Sequence, residues 1–143
     1  GGKAHHRVSA MPIEFTVSAA ISASPRAIYD AWLSSKGHAA MTGASARVSA
    51  KPGGRFSAWD GYISGRNLKL VPGKRIVQAW RTTEFTSSDP DSQIEIRLDR
   101  TPRGTRLTLR HTNLPPGQSD YRSGWSECYF SPMKDYFAQR KAS

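Results

Sequence analysis

The sequence predicts an α+β fold, a curved antiparallel sheet of about six or seven strands wrapped around a long C-terminal helix. Short runs of alternating apolar and polar residues fill most of the chain from residue 13 to residue 112, and Pro-Gly, Gly-Gly and Asp-Gly pairs punctuate them. After residue 116 the apolar spacing changes to that of a helix. Strands followed by a closing helix place the helices on one side of an antiparallel sheet.

The elements follow in chain order. Ile13, Phe15, Val17 and Ala19 alternate with Glu14, Thr16 and Ser18, the pattern of a half-buried strand. Ser24 is a good N-cap residue, and Pro25 suits the first helical position because its missing N–H costs nothing there. Ile28, Tyr29, Trp32 and Leu33 then recur at helical spacing, which predicts a short amphipathic helix over residues 25–35 that closes near Gly37. A loop containing Gly43 leads to consecutive hairpins over residues 46–70, broken at Pro52-Gly53-Gly54 and Asp60-Gly61. Pro72-Gly73 occupy the central positions of a type II turn, and a strand over residues 76–85 follows. After a polar loop over residues 86–91, the runs 93–101 and 105–112 form a hairpin. Its Ile94, Ile96, Leu98, Leu107, Leu109 and His111 share one face. From Pro116 to about Arg140 the sequence predicts a helix with Tyr121, Trp125, Cys128, Tyr129, Met133 and Tyr136 on one stripe, kinked by Pro132.

The 143 residues suit one core, with residues 11–143 expected to form a single domain. Residues 1–10 (GGKAHHRVSA) lack periodicity and are expected to be a disordered leader or a cloning remnant. No apolar run is long enough to cross a bilayer as a helix and none resembles a secretory signal, so a cytoplasmic location is expected. The lone Cys128 excludes an internal disulfide, and no histidine or carboxylate grouping has metal-ligand spacing; no cofactor is expected. Net charge is +10. Many of the cations alternate with aliphatics, as Arg97 does with Ile96 and Leu98, and read as the solvated face of the sheet rather than a nucleic-acid surface.

Two stretches carry a family resemblance: GGRFSAWDGYISGRNLKLVPGKRIVQAWR, Gly53 to Arg81, and HTNLPPGQSDYRSGWSECYFSPMKDYF, His111 to Phe137. In the order Gly-Gly, Phe-x-x-Trp, Gly61 with Gly65, Trp80-Arg81 and Gly124-Trp125, the chain resembles the domain related to the activator of Hsp90 ATPase, of the START-like (SRPBCC) helix-grip superfamily. The resemblance runs from Ile13 to about Arg140. It implies a sheet that grips the C-terminal helix with a cavity between them, and it makes an Hsp90-type chaperone an expected partner. Superfamily members range from lipid and polyketide binders to cyclases, so fold alone does not assign an activity.

The candidate site residues are Trp32, Phe56, Trp59, Tyr62, Trp80, His111, Trp125, Tyr129 and Met133. Aromatic side chains bring large apolar area and polar tips that need partners, which suits either a core or an apolar pocket with a few polar anchors. His111, in phase with Leu107 and Leu109, is either a satisfied structural histidine or a ligand anchor; no carboxylate or nucleophile is spaced to make it catalytic. Arg81 is expected to pair with Glu84, Glu95 or Asp99, and Asp60 to brace its turn. The leading expectation is non-enzymatic binding of a small hydrophobic molecule between sheet and helix. The alternative is a protein-interaction module that meets an acidic chaperone surface with its basic exterior. A cyclase- or hydrolase-like enzyme comes third. A monomer or a homodimer is expected.

Overall fold

The computed structural model describes residues 11–118 and 120–142; the expectation for residues 1–10 lies outside them. After β1 (Ile13–Ile21) come α1 (Pro25–Trp32) and α2 (Ser35–Thr42). The strands β2 (Ala46–Val48), β3 (Arg55–Ala58), β4 (Ile63–Val71), β5 (Arg75–Thr82), β6 (Ser92–Thr101) and β7 (Gly104–Leu114) follow as a meander. The chain closes with α3 (Tyr121–Gly124), a π-helical stretch (Trp125–Phe130) and α4 (Ser131–Ala142), which run on from one another. The seven strands form one antiparallel sheet in the order β1-β7-β6-β5-β4-β3-β2. β1, first in the chain, therefore pairs with β7, the last strand.

Alternation sets the register as the sequence predicts. Ile94 faces His111 and Ile96 faces Leu109, and all four are fully buried. Leu98 opposite Leu107 completes this row, and burying each such aliphatic contributes roughly 1.5–3 kcal/mol. Gly65 lies opposite Trp80, and a Cβ there would come within 1.8 Å of the Ala79 carbonyl oxygen and 2.8 Å of the Phe56 ring. Only glycine lets the strands and that ring approach so closely.

The helices depart from expectation in three ways. The Ser24 side chain caps α1 as predicted, but the helix stops at Trp32. Ser34 then caps a second helix that the sequence reading took for a loop, and Gly43 ends it in the left-handed region at φ 84°. The C-terminal helix begins at Tyr121 rather than Pro116, because Gly117 turns at φ 80° and Asp120 supplies the N-cap. Its predicted stripe holds at Tyr121, Trp125, Tyr129 and Met133 but changes at two positions. Pro132 has no N–H for the Cys128 carbonyl, and the chain accommodates it by widening the preceding turn, where Ser131 N–H donates to the Ser126 carbonyl five residues back. The extra residue moves Phe130 and Phe137 into the core, leaving Cys128 exposed and Tyr136 half-buried.

Candidate functional site

A cavity of about 290 Å³ opens where the β3–β4 hairpin and β5 meet the first turns of the C-terminal helix. Trp59, Tyr62 and Ile63 line it from the hairpin, and Trp80 from β5. Tyr121, Gly124, Trp125 and Tyr129 line it from the helix, with exposed Asp120 and Cys128 at the rim. Of the candidate residues, Trp59, Tyr62, Trp80, Trp125 and Tyr129 meet at this cavity. Trp32, Phe56, His111 and Met133 do not line it; they are buried in the core behind or beside it. The sequence reading missed Tyr121 and Gly124 as lining residues, although their place on the predicted stripe and in the Gly-Trp motif was visible.

The aromatic wall is continuous. The Trp125 ring lies 5.5 Å from Trp80 and 4.8 Å from Tyr129, and Tyr121 meets Trp80 edge-to-face at 5.4 Å, all within the favourable range for aromatic pairs. Two buried histidines hold this wall in place. Trp125 Nε1–H donates to His111 Nδ1 at 3.0 Å, and the other ring nitrogen of His111 lies 2.9 Å from Ser92 Oγ, whose hydroxyl donates to the Trp80 carbonyl at 2.6 Å. That pattern assigns the proton to Nε2 and a neutral ring. Burial agrees, holding the His111 pKa down to about 3.

The second histidine was noted in the sequence only among residues lacking metal spacing. His38 Nδ1–H donates to the Trp32 carbonyl at 2.9 Å, and Tyr129 O–H donates to His38 Nε2 at 2.8 Å. Burial lowers its pKa as well. α2 exists to deliver this residue to the helix, and without α2 the sequence reading had no place for it. Behind the wall, Trp32 Nε1 donates to Gln78 at 3.3 Å and Gln78 to Asn67 at 2.8 Å, so the core tryptophan is also satisfied.

The remaining polar tips have partners outside the cavity. Tyr62 donates to Glu84. Tyr121 O–H donates to Gln118 at 2.9 Å and lies 2.9 Å from Thr82 Oγ1. Asp120 accepts the backbone N–H and the hydroxyl of Ser123, which holds its carboxyl below the usual range. Asp60 braces its turn as predicted, accepting the Ser45 N–H at 3.1 Å and hydroxyl at 2.6 Å. Arg81 pairs instead with Asp91 at 2.7 Å and donates to the carbonyls of Thr86 and Asp89. The 86–91 loop folds back over the strand, which the sequence distances did not reveal. Among the described residues no group of three or more His, Cys, Asp or Glu is placed to hold a metal, and no helix is long and apolar enough to cross a membrane.

Comparison with known proteins gives the family. The model of the family described as Activator of Hsp90 ATPase homolog 1-like protein matches residues 22–138. The chain belongs to this family. It is 30% identical over 115 residues to the Homo sapiens protein named Activator of 90 kDa heat shock protein ATPase homolog 1, across 80% of this chain and 34% of that protein. A Dictyostelium discoideum homologue is 30% identical over 118 residues, across 80% of this chain and 30% of its own length. The chain thus spans about a third of the curated relatives it matches. Among solved structures, an HSP90 activator from Plasmodium falciparum superposes with a TM-score of 0.75 at 21% identity, covering 90% of this chain and 96% of that one. The AHSA1-like protein of Aeromonas hydrophila gives 0.68 at 18%, covering 92% and 96%. At these identities the likeness concerns the fold, which is the expected helix-grip architecture.

Proposed function

We propose that this chain is a non-enzymatic, cytoplasmic binding domain that holds a small hydrophobic molecule in the aromatic cavity. The observation that carries the reading is the cavity itself, a space of about 290 Å³ walled by six aromatic side chains and Ile63. A volume near the lower end of known ligand pockets fits a compact ligand. Catalysis finds little support: both histidines are held neutral within satisfied hydrogen-bond chains, and Asp120 serves as a helix cap. The test is native mass spectrometry of freshly purified protein followed by thermal shift with hydrophobic metabolites. A ligand that binds only the folded state raises the melting temperature, and Gly124→Leu should abolish that rise. A Cβ at Gly124 meets nothing within 4 Å, so the larger side chain has room to occupy the cavity side of the helix. Clean apo protein with no ligand-induced shift refutes the reading.

A second reading, docking to an acidic surface of an Hsp90-type chaperone, draws on the relatives' names and on the outer sheet face. Arg47, Arg55, Arg66 and Lys69 are exposed on β2–β4, and among the described residues none of them forms an ion pair. Arg55 and Arg66 lie directly opposite each other, a like-charge juxtaposition that an acidic partner would relieve. Chaperone pull-down at low salt, lost with Arg66→Glu, supports this reading; no capture at low salt refutes it.

A further inference from the structure

At the far end of β5 and β6 from the aromatic cavity, positive charge gathers around two adjoining concave spaces. The first, of about 440 Å³, lies where the β6–β7 turn meets the start of α1 and the end of α4. Arg100 and Arg103 line it from the turn and Arg140 from the helix, and no carboxylate of a described residue does. The second, of about 720 Å³, lies beside the β4–β5 turn, where Lys74, Arg97 and again Arg100 line it and Asp99 is its one carboxylate. Arg26 and Arg75, also on that lining, are paired with Asp30 and Glu95. Among the described residues Lys74, Arg97, Arg100 and Arg103 form no ion pair.

The backbone that carries these cations is fixed in place. A Cβ at Gly104 would come within 2.3 Å of the Ile21 carbonyl oxygen, and Thr105 Oγ1 donates to the Ala23 carbonyl at 2.7 Å. The β6–β7 turn is thereby clamped to the loop between β1 and α1. On the helix side, the Arg140 guanidinium lies over the Tyr136 ring at 5.3 Å. Arg97 stands directly opposite Arg75 across the β5–β6 ladder, and Glu95 answers only Arg75. Like charges so placed cost stability unless an anion joins them, and a concave lining of one sign concentrates the potential.

From this convergence we infer that the basic end is a second binding site, for a small molecule carrying several phosphate groups. Arginine forks present paired N–H donors that match phosphate oxygens, and here they come from separate elements around one space. Arg100 stands on both linings, so a ligand with more than one phosphate can occupy the two spaces at once. A nucleic acid fits less well. The cations cluster at one end, and the only aromatic side chain on either lining is the buried Phe137, which offers no platform for bases. A ligand bound here leaves the aromatic cavity untouched.

Isothermal titration with tripolyphosphate at about 0.15 M salt, where exposed charges are screened beyond about 8 Å, tests the inference. One ion per chain should bind, about tenfold or more tightly than orthophosphate or the tricarboxylate citrate. Arg100→Gln/Arg103→Gln should weaken it about tenfold or more, as the loss of charge-assisted hydrogen bonds implies. Arg55→Gln/Arg66→Gln removes the same charge from β3 and β4 and should change affinity by less than about twofold. Both pairs are exposed, and circular dichroism with a thermal melt verifies each fold; Arg103→Gln alone carries the test if the first pair does not fold. Absence of binding, several ions per chain, or equal losses in the two double variants overturns the inference. So does equal affinity for citrate, or tighter binding of a single-stranded oligonucleotide at the same salt.

Discussion

The indole of Trp125 and the ring of His111 form a single hydrogen bond of 3.0 Å that joins the C-terminal helix to β7 of the sheet. Because His111 accepts at Nδ1 and its Nε2 faces Ser92, a second proton has nowhere to go without breaking that link. Tyr129 and His38 repeat the arrangement one helical turn later.

Acid should therefore loosen the grip. Both histidines have folded pKa values below the ordinary 6.5, through burial, so the unfolded chain takes up protons first. Stability is full above about pH 6.5 and declines as the pH falls from there towards about 3 for His111. Between pH 7 and pH 5.5 His111 should cost about 1 kcal/mol, and His38 adds to the loss in the same direction. Asp60 and Asp120, whose pKa values are lowered, stay ionised in this window. Urea unfolding at the two pH values measures the loss, and His111→Gln should reduce it by about 1 kcal/mol.

Tyr129→Phe should cost about 1–3 kcal/mol at pH 7, because it leaves buried His38 Nε2 without its donor while keeping the ring contact with Trp32. A double-mutant cycle with His38→Ala should return a coupling of about 1 kcal/mol or more.

Gly65→Ala should be among the most damaging single substitutions. The added methyl runs into the Ala79 backbone, which cannot rotate away as a side chain would. A loss of about 3 kcal/mol, or failure to fold, is expected by denaturant unfolding.

Gly124→Leu should separate stability from binding. The position is helical and its Cβ direction is open, so replacing glycine should stabilise the helix by about 0.5–1 kcal/mol. The same side chain should reduce ligand affinity about tenfold or more in titration with naphthalene, a compact apolar probe, since it takes up cavity volume.

The sheet was legible in the sequence because its signals are local: alternation fixes the buried face, and Asp60-Gly61, Pro72-Gly73 and Pro102 through Gly104 fix the turns. The stripe on the last helix was legible at Tyr121, Trp125, Tyr129 and Met133, which are all buried. The π-helical turn displaced its other two members, so Cys128 and Tyr136 stood in for Phe130 and Phe137. Tertiary contact explains the other gaps. Nothing near His38 in the chain announces that it meets Tyr129, 91 residues away. Likewise, His111 and Trp32 carry apolar-face patterns that suit a cavity and a core equally, and only the packing decides that they are core.

Indole resonances in a ¹H–¹⁵N correlation spectrum test the central claim most directly, since the four tryptophans report separately. Titration with naphthalene should move the Trp59, Trp80 and Trp125 signals together and saturably, with Trp32 responding least because it lies outside the cavity lining. If those three signals stay fixed while the probe reaches its solubility limit, the cavity is not a binding site and the account fails.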